Sequence, residues 1–163
     1  MPVSSIMTPD VKTATADETI QTVCKSMYEN DIGSIVVVKR TIEGINPIGI
    51  ITERDIVRQI GFTDLFVVQA PIRQIMSTPL VTIGANSLVR DAIEIMQVKN
   101  IRRLPVMDNN GKMVGIITQK DVLKKMWIVQ LIYIDNDNDL LSPGIYVHVF
   151  YKKLKYPKKL ILG

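Results

Sequence analysis

The sequence predicts an α+β protein made of two copies of one small unit, each ordered strand, helix, strand, strand, helix, and two observations carry that expectation. The first is a repeated motif: Gly49-Ile50-Ile51-Thr52-Glu53-Arg54-Asp55 returns as Gly115-Ile116-Ile117-Thr118-Gln119-Lys120-Asp121, an apolar strand running into a hydroxyl and a carboxylate. The second is the register upstream. Pro2-Val3 and Ile6-Met7 match Pro71-Ile72 and Ile75-Met76, and the same spacing aligns Thr13 with Thr82, Ala16 with Ala85, Met27 with Met96, Ile32 with Ile101 and Val37 with Val106. No gap is needed until the loop ahead of the repeated motif. A period of roughly 60 to 70 residues is longer than the units of about 20 to 50 residues that build helical and propeller arrays. Two copies of a small domain fit better.

Each element has its own signal. Asp17 is placed to cap a helix whose apolar residues Ile20, Val23, Cys24 and Met27 fall at i, i+3, i+4 and i+7, one stripe of a helix with about 3.6 residues per turn. Asn86 takes the same part ahead of Val89, Ala92, Ile93 and Met96. The run Ile35 to Val38 is continuous and β-branched, and Leu104 to Met107 is apolar apart from Pro105, so both read as buried strands. Pro105 cannot donate to a ladder and predicts a strand edge or a bend. Asn110-Gly111 is a strong hairpin signal and sets off the strand Lys112 to Thr118, whereas the first copy is expected to use a longer loop, Lys39 to Asn46. Short helices over Asp55 to Ile60 and Asp121 to Met126 end the copies, with Gly61 stopping the first. The expected organisation is therefore a first repeat over 2–60, a linker over 61–70, a second repeat over 71–126 and an irregular C-terminal extension over 127–163. That extension repeats nothing and lacks helical periodicity and caps.

Bulk composition narrows the class. With 163 residues, 47% of them hydrophobic, the chain can build one core or two small docked cores; a unit of about 60 residues is marginal alone. The halves are expected to dock. No apolar stretch reaches the roughly 18 to 20 residues needed to span a membrane, and Met1-Pro2-Val3-Ser4-Ser5 has no basic region leading into an apolar run. A single cysteine, Cys24, excludes an intrachain disulfide and a cysteine-based zinc cluster. A cytoplasmic protein is expected. The net charge of +4 raises the question of nucleic acid. Half of it sits beyond residue 126, where Lys152, Lys153, Lys155, Lys158 and Lys159 outnumber Asp135, Asp137 and Asp139, and the rest forms no basic stripe.

Thr52-x-x-Asp55 and Thr118-x-x-Asp121 have the capping-box pattern, a hydroxyl at the helix N-cap and a carboxylate at the third helical position. Taken alone, the pattern closes a helix and needs no ligand. The apolar Gly-Ile-Ile before each, and the equivalent positions in two paired units, give it a second reading as a polar site.

The order of Val3-x-x-Ile6-Met7, a helix, Ile32 to Val38 and Gly49 to Asp55, repeated as Ile72-x-x-Ile75-Met76, Ile101-Arg102-Arg103-Leu104-Pro105-Val106 and Gly115 to Asp121, resembles a tandem CBS-domain pair, or Bateman module. The likeness covers residues 2–126. It implies a β-α-β-β-α fold for each half, pseudo-twofold packing of two sheets, and clefts that bind adenosine-containing ligands. Side-chain chemistry agrees with those clefts. A carboxylate can accept both hydroxyls of a cis-diol, so Asp55 and Asp121 suit a ribose edge. Thr52 and Thr118, at helix N-termini, suit a phosphate, and Ile50 and Ile116 can flank a purine.

The resemblance further implies two mixed sites. The first joins Thr52 and Asp55 to Val81, Arg102 and Arg103; the second joins Thr118 and Asp121 to Lys12, Gly33 and Ser34. Two guanidiniums can grip phosphate oxygens in bidentate fashion, whereas Gly33 and Ser34 offer small dipoles, so the first site is expected to be the stronger phosphate binder. The plain alternative for Arg102-Arg103 is a solvated strand start.

Other features imitate chemistry without completing it. Asp135-Asn136-Asp137-Asn138-Asp139 follows the first positions of an EF-hand loop, but Leu140 stands where glycine is needed and Tyr146 where the bidentate glutamate belongs. His148 is the only histidine, Cys24 sits on an apolar helix stripe, and neither G-x-x-x-x-G-K nor G-x-G-x-x-G occurs. The sequence therefore predicts a stand-alone regulatory module. It would sense AMP, ADP, ATP or a related adenosyl compound, signal to a partner protein, form a homodimer, and need no catalytic residue, metal or cofactor. Two alternatives stand beside it: a nucleic-acid-binding protein that uses the basic end as its contact, and a dimerisation unit with empty clefts.

Overall fold

The computed structural model describes residues 1–42, 44–62 and 65–126, with backbone alone at 65 and 66. Within them the order is β1 (Thr13–Thr15), α1 (Ile20–Glu29), β2 (Ser34–Thr41), β3 (Gly44–Thr52) and α2 (Glu53–Phe62), then β4 (Ile83–Gly84), α3 (Val89–Val98), β5 (Arg103–Met107) and β6 (Met113–Thr118). A last helix, α4, occupies 119–126. Each half is a three-stranded sheet, β1-β2-β3 and β4-β5-β6, with a parallel first pair and an antiparallel second pair. This is the duplicated α+β fold. The acidic run at 135–139, His148 and the lysine cluster lie outside the described residues.

The helices follow their apolar stripes: Ile20, Val23 and Met27 are buried on α1, and Val89, Ala92 and Met96 on α3. Their caps differ from expectation. Thr19, not Asp17, caps α1 and accepts from the Thr22 N–H at 3.1 Å. In α3 the chain turns at Leu88, and the Asp91 carboxylate accepts from the Leu88 N–H at 3.0 Å, so Asn86 takes no part. Asp17 is instead paired with Arg73 on the surface. Both helices end alike, with Asp31 (φ 51°) and Asn100 (φ 52°) left-handed and with Ile32 and Ile101 N–H groups returning to Met27 and Met96 carbonyls, each at 3.0 Å. Asp and Asn are the side chains that tolerate this conformation best after glycine.

Three further expectations are corrected. The segment Lys39 to Asn46 is no open loop: β2 and β3 pair out to Thr41 and Gly44, because β-branched Thr41 and Ile45 favour strand and Gly44 supplies φ 137° at the turn. Gly61 does not stop α2, which runs to Phe62; a glycine in a final turn weakens a helix by about 1 kcal/mol without breaking it. Pro105 sits in the central strand of its sheet, opposite Ile116. Its missing N–H falls at the mouth of the β4–β5 pairing, which begins one residue later, at Val106.

The cores are built by exchange. Val3 is packed with Ile83, Val89, Ala92, Met96, Leu104, Val106, Ile117 and Val122, all from the second half, and Ile6 and Met7 lie against the same cluster. Reciprocally, Ile72, Ile75 and Met76 pack with Ala14, Ile20, Val23, Met27, Ile35, Val37 and Ile51 of the first half. Backbone bonds fix the exchange: Val3 donates to the Ser87 carbonyl at 2.8 Å, and Ile72 to the Glu18 carbonyl at 2.9 Å. The arms then extend each sheet, Thr8 bonding both ways with Ile116 and Ser77 both ways with Ile50. Val3 and Ile72 are each 0% exposed, and burying such a side chain contributes about 1.5–3 kcal/mol.

Candidate functional site

Each repeated motif lies where a strand feeds a helix. The Thr52 N–H and hydroxyl donate to Asp55 Oδ2 at 2.9 and 2.6 Å, and the Asp55 N–H donates to Thr52 Oγ1 at 3.3 Å. Thr118 and Asp121 repeat this at 2.8, 2.6 and 3.2 Å. Both are reciprocal capping boxes. A carbonyl from the preceding strand start adds to each: Gly33 accepts from the Glu53 N–H at 3.3 Å, and Arg102 from the Gln119 N–H at 3.0 Å. In α2 the N–H groups of Glu53 and Asp55 are thus occupied, and among the described residues that of Arg54 has no partner. The box takes a single carboxylate oxygen, Oδ2, in each half, so Oδ1 of Asp55 keeps its lone pairs.

Beside the first box is a cavity of about 360 Å³, within the size range of small-molecule sites. Thr52, Asp55, Val81, Arg102 and Arg103, which the family likeness groups into one site, all line it, and Ile50 does too. Residues the sequence reading did not single out complete the wall: Glu53, Arg54 and Arg58 from the first half, and Ser77, Pro79, Leu80, Asn100, Ile101 and Pro105 from the second. The overlooked signal is the pair Arg54 and Arg58, one turn apart on the helix that begins with the motif.

Arg103 is half-buried against this junction. Burial pulls its guanidinium below the usual arginine range; the Glu53 carboxylate opposes that and the neighbouring Arg102 adds to it, with Asp55 and Arg54 acting more weakly in opposite senses. Gly33 is the close approach that admits this cluster, because a Cβ there would stand 2.8 Å from Glu53 Oε2 and 3.6 Å from an Arg103 nitrogen. Gly33, expected in the second site, therefore lines the first cavity.

The other residues of the second site are not gathered in the same way. Lys12 lines a hollow of about 370 Å³ with Pro9, Asp10, Val11, Met113 and Val114, which includes neither Thr118 nor Asp121. Ser34 pairs with Thr52 across the first sheet, and Ile116 bonds to Thr8. Among the described residues no group of His, Cys, Asp and Glu could hold a metal ion, and no helix is long and apolar enough to cross a membrane. Cys24 is partly buried on α1, and burial pushes its thiol above the ordinary range.

One difference between the halves alters the cavity wall. In the first half the Val36 N–H donates to the Lys12 carbonyl at 3.2 Å. The matching pair in the second half is Pro105 and Val81, and proline has no N–H to give. Among the described bonds the Val81 carbonyl accepts none.

Two half-domains that exchange arms and enclose a cleft between a strand-to-helix junction of one and the strand starts of the other define a tandem-repeat module. The chain belongs to the CBS-domain family, whose sequence profile matches residues 3–61 and 72–128, so it is a tandem CBS pair. It is similar to the uncharacterized protein MK0525 of Methanopyrus kandleri, 39% identical over 122 residues, which span 75% of this chain and 61% of that one. It is also similar to the CBS domain-containing protein YhcV of Bacillus subtilis, 34% identical over 74% of this chain and 81% of the relative. Among solved structures, the CBS-domain protein ATU1752 of Agrobacterium tumefaciens superposes with TM-score 0.70 at 29% identity, covering 77% of this chain and 99% of that one. The CBS pair of protein MJ0100, solved with 5′-methylthioadenosine and S-adenosyl-L-methionine, gives TM-score 0.68 at 25% identity over 77% and 95%.

Proposed function

We propose that this CBS pair is a cytoplasmic sensor that binds an adenine nucleotide in the arginine-lined cleft, holds it unchanged, and passes its occupancy to a partner protein. The observation that carries the reading is the single cavity shared by Thr52, Asp55, Val81, Arg102 and Arg103. Asp55 Oδ1 is an acceptor for a ribose hydroxyl, the guanidiniums of Arg102 and Arg103 and the Arg54 backbone N–H are donors for oxygens of the first phosphate, and Ile50, Leu80 and Pro105 give an apolar wall for the base. The Val81 carbonyl, which accepts no bond among the described residues, is an acceptor suited to an exocyclic amine. Binding of adenosyl compounds by the CBS pair of MJ0100 supports the ligand class. Thr118 and Asp121 form the weaker, second site in this reading. Tyr28, Val57 and Phe62, at 88%, 69% and 87% exposure, supply apolar surface for a homodimer.

Calorimetric titration with AMP and ATP tests the assignment. Asp55→Ala and Asp121→Ala remove the same capping contacts, so each is the structural control for the other. Losing a charge-assisted hydrogen bond costs about 1.5–3 kcal/mol, so Asp55→Ala should weaken binding roughly ten- to a hundredfold. Loss of tight binding in Asp121→Ala alone would reverse the ranking of the two sites. Thermal melting separates a sensor from an empty dimerisation unit: ligand at about 100 times its dissociation constant stabilises by about 2.7 kcal/mol, and an indifferent fold does not shift.

A further inference from the structure

Four arginines, Arg54, Arg58, Arg102 and Arg103, line the one cavity, against two carboxylates, Glu53 and Asp55. Among the described residues none of the four guanidiniums is in an ion pair or donates a hydrogen bond; the ion pairs present are Lys25 with Glu29, Arg73 with Asp17 and Arg90 with Asp91. The protein alone holds these charges at a cost. Arg54 lies in the first turn of α2, where the helix dipole disfavours a cation, and Arg58 follows four residues on, where like charges repel. At the half-buried Arg103 the cost is burial first; Glu53 offsets part of it, and Arg102 and Arg54 add to it against Asp55.

Accepting that the cleft takes an adenine nucleotide, we propose that Arg54 and Arg58 are its specificity determinants and select a ligand with two or more phosphates over a monophosphate or an adenosyl thioether or sulfonium. A phosphate held by the Thr52 junction and Arg103 leaves Arg54 and Arg58 unmatched. The two Cα atoms are about 6 Å apart along the helix axis on one face, so the pair offers cationic donors beyond the first phosphate that a phosphate chain can reach. Guanidiniums keep their charge and grip such oxygens in bidentate fashion. A neutral thioether neutralises nothing here, and a sulfonium adds a positive charge to an excess of two.

The corresponding positions of the second half are Lys120 and Lys124, and in place of Arg102 and Arg103 the duplication has Gly33 and Ser34. The selectivity accordingly belongs to the first cleft.

The test is calorimetric titration of the full chain and its Arg54→Ala/Arg58→Ala double variant with AMP, ADP, ATP and S-adenosylmethionine in magnesium-free buffer. Wild type should bind ATP at least tenfold more tightly than AMP, and S-adenosylmethionine more weakly than either. The double variant should keep its AMP affinity within about twofold and lose most of the ATP advantage. Both arginines are exposed, so its melting temperature should match wild type; Arg58→Lys, which keeps the charge, should retain part of the preference. Equal affinity for AMP and ATP in wild type, or an ATP advantage that survives the double substitution, would overturn the selectivity and leave the nucleotide cleft standing. Absence of binding by every adenosyl compound would instead remove the cleft assignment and this inference with it.

Discussion

The two halves are near copies in backbone and differ in what they present at the cleft. Both have the reciprocal Thr and Asp box, with matching distances, and both close their first helix with a left-handed Asp or Asn. Yet β5 begins beside Arg102-Arg103 and carries Pro105, whereas β2 begins beside Gly33-Ser34 and carries Val36 at the matching place. The boxes are thus common equipment of the fold, and charge and one missing N–H distinguish one cleft from the other. A box alone closes a helix; the nucleotide site proposed above rests on the strand start that lines the same cavity.

The largest expected effect tests whether the exchanged arms hold the halves equally. Ile72→Ala and Val3→Ala each open a cavity in the core of the opposite half. Ile72→Ala should lose about 2–5 kcal/mol of unfolding free energy in urea titration, with Val3→Ala somewhat less because fewer atoms leave. Equal retention of stability in both would mean the arms are ornamental.

Next in size is a contrast between two glycines. A Cβ at Gly115 would stand 2.6 Å from Met7 Sδ and 2.9 Å from the Thr8 carbonyl, whereas at Gly49 the distances are 3.1 Å to Met76 Sδ and 3.0 Å to the Ser77 carbonyl. Both alanine variants should lose about 1–3 kcal/mol by overpacking, with Gly115→Ala the more damaged. The order of their thermal midpoints checks it.

The smallest effect sharpens the reading of the helix starts. Thr19→Ala should cost about 1 kcal/mol as a lost N-cap, whereas Asp17→Asn removes only an exposed ion pair and should cost about 0.2–1 kcal/mol. A larger loss at Asp17 would restore it as the cap.

Much of the architecture was legible because the repeat is written in strongly apolar positions: Ile35 to Val38 and Leu104 to Val106 could be nothing but buried strands. Helix caps were harder. Asp17 and Thr19 stand two residues apart and both side chains accept hydrogen bonds, so the choice is made by where the helix axis docks and not by residue type. The pairing of Thr41 with Gly44 was hidden because Gly44, Asn46 and Pro47 all read as loop residues, while cross-strand pairing of Lys39, Arg40 and Thr41 overrode them. The arm exchange had no signature at all. With equivalent arms in both copies, pairing within a half and pairing across halves leave the same apolar pattern. At the cleft, Thr52, Asp55, Arg102 and Arg103 were visible through the duplicated motif and the family likeness. Arg54 and Arg58 were not, since a basic pair on an exposed helix face reads as solvated surface until the opposite wall is in place.

The exchanged arms also set an order for assembly on the ribosome. The arm at Ile72 to Ser77 emerges after β1, β2, β3 and α1 already exist, so the first core can close as soon as it appears. The arm at Val3 to Thr8 is made first, yet its partner Ile116 emerges roughly a hundred residues later, several seconds at ordinary rates of synthesis. During that interval Val3, Ile6 and Met7 are uncovered in the nascent chain, and an arm made before its own half is among the last segments to find shelter.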